Sequence, residues 1–378
     1  MKIVFLVAGV RAGADLFQSL LDEHSQVLHF PGILKINTDF ENMINLKNYH
    51  EIPERFIQLY PSFFDSRKDK IKRHDSLGIN RKRFYKVNTN TFIKNFVKLT
   101  QKRKILRKFD IVKYLHFAYF LTRKKKINNK KIIFIHSHVI SFTENFVKIF
   151  KLKNIEIIHT IRNPISTINS SVKNWLKYQD GVNFFAKDLY IKFDLLFNGI
   201  ADLLKIKKKI LIVQLEKLHD DRKKVMMDFC RILNLKYEKC LINSTFFGFK
   251  WWGEKSSNKL INDSKKKKDL KINKELFYDR DIKFLEFLAA DIINYYDYKL
   301  NFNNTTNFHF NFFPMKSELL TWKNTLKHNK IKHLLNIPYF LLKAIYLIGL
   351  NIPYFYLKRI FFINKFFIKY KQLPYSLG

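Results

Sequence analysis

The stretch that most limits what this chain can become is its first twenty-two residues. Lys2–Ala8 reads KIVFLVA, an apolar, β-branched run of strand length. Gly9-Val10-Arg11-Ala12-Gly13 follows as a short turn, and Ala14–Leu21 (ADLFQSLL) carries Leu16, Phe17, Leu20 and Leu21 at helical spacing. Similar units recur downstream. Lys131–Ile135 (KIIFI), Asn154–Thr160 (NIEIIHT) and Lys209–Gln214 (KILIVQ) read as buried strands, each followed by a helical pattern at Ser141–Phe150, Ile165–Tyr178 and Asp220–Leu233. Strands alternating with helices predict an α/β fold, a parallel sheet with helices on its faces and a ligand at the carboxyl ends of the strands.

The first turn also has a chemistry. Gly9 and Gly13 let backbone approach an anion closely, and Arg11 adds a forked cation. A helix start after such a turn supplies unpaired N–H groups and partial positive charge. No Gly-Lys-Ser/Thr follows, so the turn is not a Walker P-loop. A tight strand-to-helix turn with no ligand is the plain alternative.

The 378 residues are enough for a full α/β core with additions. Net charge is +38, from 70 Lys and Arg against 32 Asp and Glu, which suits a polyanion, an acidic membrane surface or an anionic cofactor. Heavy use of Lys, Asn, Ile and Phe also has the stamp of AT-rich codons, and much of this charge is then solvated background. Cys230 and Cys240 make no disulfide framework and show no metal spacing, so a reducing compartment fits. The opening apolar run is too short for a secretory leader and lacks a basic start.

Between the strands, Gln26–Phe30 reads as a short second strand and 32–50 as irregular chain. Residues 50–125 mix basic and apolar positions at helical spacing and predict a helical insertion over one side of the sheet. Further helices are predicted at 183–205 and 274–296, and 301–313 reads as a linker. The predicted division is a core domain of 1–300 and an aromatic, basic tail of 301–378.

A second segment shares the first turn's position. In Arg162–Ser171 (RNPISTINSS) a strand ends, an arginine follows, and the helix carries Ser170 two turns on. Arg162 and Ser170 can converge on one phosphate by a bidentate charged contact and a hydroxyl bond. The pairing resembles the PAPS-dependent sulfotransferases, whose donor is 3′-phosphoadenosine 5′-phosphosulfate. Gly9–Asp22 is similar to their 5′-phosphosulfate loop, Ile158–Val172 to their 3′-phosphate segment, and Val213–Leu218 and Gly248–Gly253 to later stretches, in the family's order over about residues 1–260. The resemblance implies a P-loop NTPase-like sulfotransferase fold. It places Gly9, Val10, Arg11, Ala12, Gly13, Ala14 and Asp15 on the donor's phosphosulfate and Arg162 and Ser170 on its 3′-phosphate. Trp252, or Trp251, falls where adenine would stack, and Lys255 or Lys259 where a further phosphate contact would lie.

The resemblance has departures. The family's Ser-Gly-Thr-Thr is Ala12-Gly13-Ala14-Asp15 here, so hydroxyl donors are missing and a carboxylate is added. Asp15 either caps the helix dipole or takes a proton from the acceptor. The family's Lys-Thr-His or Lys-Ser-His becomes His136-Ser137-His138, which implies His138 as the base and His136 in place of a lysine that touches the donor. Asp15, His29 and Glu41 are fallback bases, and Glu216 reads as a structural helper.

The expected reaction moves a sulfonate to a hydroxyl of a carbohydrate or glycolipid, with Arg11 beside the transferred group, no metal, and no specific nucleic acid. In the tail, NIPYF recurs at 336–340 and 351–355 among Leu, Ile, Phe, Tyr and Lys, without an uninterrupted membrane-length run. Such faces suit helices lying on an anionic bilayer. The expected location is therefore cytoplasmic, with peripheral attachment to the inner face of the membrane. The competing expectation is a catalytically silent relative that binds membranes or polyanions.

Overall fold

A computed structural model describes residues 1–8, 11–69, 74, 77–103, 105–150, 155–178, 209–253, 274–299, 315–320 and 376–377. The helix expected over 183–205, Gly9, Val10, Lys255, Lys259, the 301–313 linker and the NIPYF repeats lie outside these residues. Among the described residues, no helix is long and apolar enough to cross a membrane.

The sheet is parallel throughout, in the order β2-β3-β1-β4-β5-β8. Its strands are β1 (Lys2–Ala8), β2 (Val27–Leu28), β3 (Ile132–His138), β4 (Ile155–Ile161), β5 (Lys209–Gln214) and the two-residue β8 (Ser376–Leu377). Strand β1 lies between β3 and β4, with Leu6 opposite His136 on one side and Ile158 on the other. The chain runs outward to β2, returns through β3, and crosses β1 to reach β4. The order therefore reverses at β1, and in open parallel sheets ligands bind in the crevice beyond the carboxyl ends at such a reversal.

Alternation along β1 builds two cores. Ile3, Phe5 and Val7 face one layer, which holds α2 (Thr38–Ile44), α3 (Ile52–Leu59), α4 (Pro61–Phe64), α5 (Thr89–Thr100) and α6 (Lys108–Thr122). The same layer takes α7 (Ile140–Phe150) and α8 (Pro164–Tyr178). Val4 and Leu6 face the other layer, which holds α1 (Ala14–Ser19), α9 (Leu215–Asp220), α10 (Arg222–Leu233) and the β6–β7 hairpin (Thr245–Phe246, Phe249–Lys250). Both faces of the strand are buried, which explains its unbroken apolar run. Between β2 and β3 the chain forms α2–α6, an aromatic-rich layer against which Phe30 packs, its ring stacked on Phe63 at 5.2 Å.

Several expected boundaries move. Residues 32–50 are not irregular throughout, because Asn37 accepts from Phe40 N and starts α2, burying Phe40, Met43 and Ile44. His136–His138 forms the last residues of β3 and does not follow it. The 274–296 helix is two, α11 (Asp279–Leu288) and α12 (Ala290–Tyr295), broken at Ala289. The far end of the tail meets the sheet, where Ser376–Leu377 pairs beside β5.

Candidate functional site

Because the strands are parallel, the ends of β1, β3, β4 and β5 open on one edge. The turn after β1 is set by Gly13, which has φ +83 and caps α1 without a side-chain bond. A Cβ there would lie 2.4 Å from Leu215 Cδ1, just beyond β5. The left-handed backbone favours glycine there, and a larger residue would also have to push the end of the Leu215 side chain aside. Arg11 also takes a positive φ, of 53. Ala12 and Ala14 are buried, so two positions where the resemblance calls for hydroxyls turn methyl groups into the interior. Helix α1 has only six residues, too short for its dipole to hold an anion unaided.

Strand β4 ends at Ile161, and Ala8 pairs with Thr160, so Arg162 leaves the sheet next to the first turn. Asn163 caps α8 by accepting from Ile165 N at 3.0 Å and Ser166 N at 3.1 Å. Ser170 lies on this helix, half-buried, as does Ser166 one turn before it. Arg162 is half-buried, and among the described residues its guanidinium makes no hydrogen bond and no ion pair. Burial holds its pKa below the ordinary value, Glu216 offsets this, and the charge of Arg11 adds to the lowering. The two guanidiniums are therefore close enough to repel each other. A half-buried donor fork with no hydrogen-bond acceptor among the described residues, next to a second cation, is favoured by an added anion.

Glu216 closes the corner from α9. Its Oε1 accepts from Asn163 N at 3.0 Å, while its buried Oε2 has no hydrogen-bond partner among the described residues. Burial raises its pKa, against the pull of Asn163 N–H and Arg162. The Tyr298 hydroxyl approaches the same carboxylate from the chain beyond α12, where Gln214 Nε2 donates to Tyr296 O at 3.3 Å. Sequence reasoning gave Glu216 only a helper's role and missed Tyr298, whose approach depends on a return of the chain that no local pattern signals.

On the other side of β1, β3 brings the histidines. His138 pairs with Val7 after a register shift, at φ +66. Val139 N donates to Ser137 O at 2.8 Å across it, a tight turn of strained form. His136 Nδ1 lies 2.8 Å from Gln18 Oε1 and 3.7 Å from Asp15 Oδ1, and its Nε2 lies 3.3 Å from His138 Nδ1. Gln18 was missed because one glutamine on an amphipathic helix reads as a surface residue, yet it is fully buried.

The remaining candidates have other neighbours. Trp252 donates from Nε1 to Gly78 O at 2.6 Å, and Lys250 and Arg81 stand over its ring at 3.8 and 4.9 Å. Trp251 is core, edge-on to Phe246. His29 is fully buried, donates to Phe30 O and faces Asp22, with its pKa lowered by burial. Glu41 sits in the first turn of α2.

No family model matches the chain, and no curated protein matches it. Solved structures similar to it include a sulfotransferase domain from the olefin synthase of Synechococcus PCC 7002, at 14% identity and TM-score 0.39, covering 65% of this chain and 77% of that one. A sulfotransferase domain from the curacin biosynthetic pathway aligns at 13% identity and TM-score 0.36, covering 64% and 77%. The sulfotransferase STF9 from Mycobacterium avium aligns at 10% identity and TM-score 0.39, covering 80% and 78%.

Proposed function

We propose that this chain transfers a sulfonate from 3′-phosphoadenosine 5′-phosphosulfate to a hydroxyl of a carbohydrate or glycolipid. The observation that carries this reading is the corner of Arg11 and Arg162 beside the Gly13 turn, where the half-buried Arg162 guanidinium makes no hydrogen bond or ion pair among the described residues. The donor has phosphate at two ends of one nucleoside, and the resemblance gives Arg11 the phosphosulfate end and Arg162 with Ser170 the 3′ end. The acceptor oxygen attacks sulfur, the bond from sulfur to the 5′-phosphate oxygen breaks, and 3′-phosphoadenosine 5′-phosphate leaves. Arg11 stabilises the charge growing on the leaving phosphate, and His138 takes the acceptor's proton. A sugar hydroxyl fits a site that supplies its own base.

The test is calorimetry with 3′-phosphoadenosine 5′-phosphate. Arg162→Ala is expected to weaken binding about 100-fold or more, since two hydrogen bonds to a charged group contribute roughly 1.5–3 kcal/mol each. Equal affinity in wild type and variant overturns the site. A second reading, a silent relative that binds without turnover, draws support from the buried methyls of Ala12 and Ala14. Transfer of labelled sulfate to a glycan panel separates the two.

A further inference from the structure

The hairpin between Leu77 and Arg83 holds an apolar side chain out in water. Leu77 N donates to Arg83 O at 3.1 Å and Arg83 N donates to Leu77 O at 2.9 Å, closing a short tip over 78–82. Gly78 at φ +77 and Arg81 at φ +54 make the bend, with Arg81 N donating to Gly78 O at 3.1 Å. The base is fixed to the rest of the fold. Leu77 and Tyr85 are core residues, Gly78 N donates to Lys250 O at 2.8 Å, and Trp252 Nε1 donates to Gly78 O. Above this base, positions 79–84 (INRKRF) are all exposed. Ile79 is 82% exposed, and Phe84 is 46% exposed with the Arg67 guanidinium over its ring at 4.4 Å. A single exposed apolar residue is ordinary on a loop. Here it stands on a pinned hairpin whose bend requires two left-handed residues.

The surroundings are uniformly basic. Residues 76–109 contain no Asp or Glu and eleven Lys or Arg. Arg81, Lys82 and Arg83 sit on the hairpin itself, and α5 exposes Lys94 and Lys98 one turn apart. Asp65, whose backbone pairs with Lys86, is already held by Arg67 Nε at 2.9 Å and Nη2 at 2.6 Å. A dissolved polyanion would pair with these cations and leave Ile79 in water. An anionic bilayer takes both, because its headgroups meet the cations while Ile79 passes into the acyl boundary. The hairpin is already ordered, so the contact costs little further entropy.

We propose that the 77–83 hairpin is a docking finger for an anionic lipid surface, with Ile79 as the inserted residue and Arg81, Lys82 and Arg83 as the headgroup contacts. The finger is separate from the aromatic, basic tail. It is also independent of the sulfonate-transfer reading, whose failure leaves it intact. Where both hold, a lipid-borne acceptor is favoured over a soluble sugar.

The test uses the full chain and vesicles of phosphatidylcholine, with or without phosphatidylserine. Ile79→Cys, labelled with an environment-sensitive fluorophore in a Cys230→Ala, Cys240→Ser background, reads the surroundings of the tip. With phosphatidylserine its emission is expected to shift to the blue and to be quenched by nitroxides on the acyl chains. With phosphatidylcholine alone it should do neither. Unchanged emission overturns the proposal even where the protein sediments with the vesicles, because the tail or diffuse charge then holds it. In co-sedimentation, Ile79→Asp is expected to lower partitioning about tenfold or more, from the loss of a buried aliphatic side chain. Lys82→Gln is expected to lower it about fivefold. Ile105→Asp is the control, since Ile105 is also 82% exposed among cations, on the loop after α5, and makes the same change in charge. It should leave partitioning nearly unchanged. Equal losses in the two Asp variants overturn the role of the hairpin and assign the binding to net charge. Should the cysteine-replaced protein not fold, the three single variants decide. A chain that binds dextran sulfate but no vesicles overturns the lipid surface and makes a soluble polyanion the partner.

Discussion

Two polar clusters interrupt the apolar interior, and they are built on opposite plans. At the end of α1, Asp22 is fully buried and accepts from Thr245 Oγ1 at 3.2 Å and Gly248 N at 2.7 Å. Arg123 Nη2 lies 3.6 Å from Asp22 and 3.3 Å from Glu23, and Lys125 pairs with Glu23. The Arg123 guanidinium also covers the Phe247 ring at 3.8 Å. Signs alternate there, and the cluster ties α1, the end of α6 and the β6–β7 hairpin together. At the carboxyl edge of β1 and β4, by contrast, the charges of Glu216 and Arg11 both act on Arg162, whose guanidinium makes no hydrogen bond or ion pair among the described residues. The first cluster joins elements of the fold, and the second, on the reading proposed above, takes an anion from outside.

This difference is best broken by a pair of substitutions. Asp22→Asn leaves Arg123 with a weakened partner in a dry setting, which costs about 3–5 kcal/mol for a buried pair that loses one member. Urea denaturation should show that loss, while nucleotide affinity is kept in the molecules that remain folded. Arg162→Ala should do the reverse, losing affinity while keeping or slightly gaining stability, because a desolvated cation is removed. If Asp22→Asn lowers affinity as much as Arg162→Ala does, the two clusters do not have separate roles.

Much of the frame was readable before any coordinates, for a simple reason. A strand buried on both faces must be apolar throughout, so Lys2–Ala8 and Lys209–Gln214 announce themselves. Arg162 and Gly13 were also legible, because each follows such a strand and parallel strands end together. Other features depend on distant partners. His136-Ser137-His138 reads as lying just after the strand because polar residues rarely end one, yet Ser137 turns to Thr143 while the histidines turn the other way. Helix α2 was hidden because Phe40, Met43 and Ile44 are three apolar positions in a polar stretch. Trp252 looked like a stacking platform, but composition does not reveal that Lys250 and Arg81 stand over its ring.

Buried histidines sharpen the comparison from the side of the fold. Burial drives His159 on β4 down to about 4 and His116 on α6 down to about 3. Among the described residues, His159 Nδ1 and His116 Nε2 have no hydrogen-bond partners. A depressed histidine favours folding above its ordinary value near 6.5, and the advantage is lost as pH falls through the folded value. Each such group contributes roughly 3 kcal/mol over that window. Stability should therefore drop steeply between pH 6.5 and 4, and His116→Leu should flatten the slope in urea titrations at several pH values. An unchanged slope in the variant would show that His116 is not among the groups responsible.

The smallest effect is expected at Glu216, and it reports on the ligand corner itself. Burial raises the carboxyl pKa, so the folded protein holds this proton to higher pH than the unfolded chain does. The linked contribution to stability is fully present below the ordinary carboxylate value and is lost as pH rises through the folded one. Binding follows the same sign. Above the folded value, a carboxylate beside Arg162 repels an incoming phosphate, so nucleotide affinity should fall as pH rises, and binding should take up a proton. Glu216→Gln keeps an oxygen to accept from Asn163 N and removes the charge. It is expected to tighten binding about two- to fivefold at pH 8, well under the 1.4 kcal/mol of a tenfold change. It should also abolish the uptake, read as the dependence of calorimetric enthalpy on buffer ionisation heat. Persistent proton uptake in the variant would move the linked group elsewhere. Weaker binding would mean that Glu216 chiefly holds Arg162 in place, with repulsion of the nucleotide secondary.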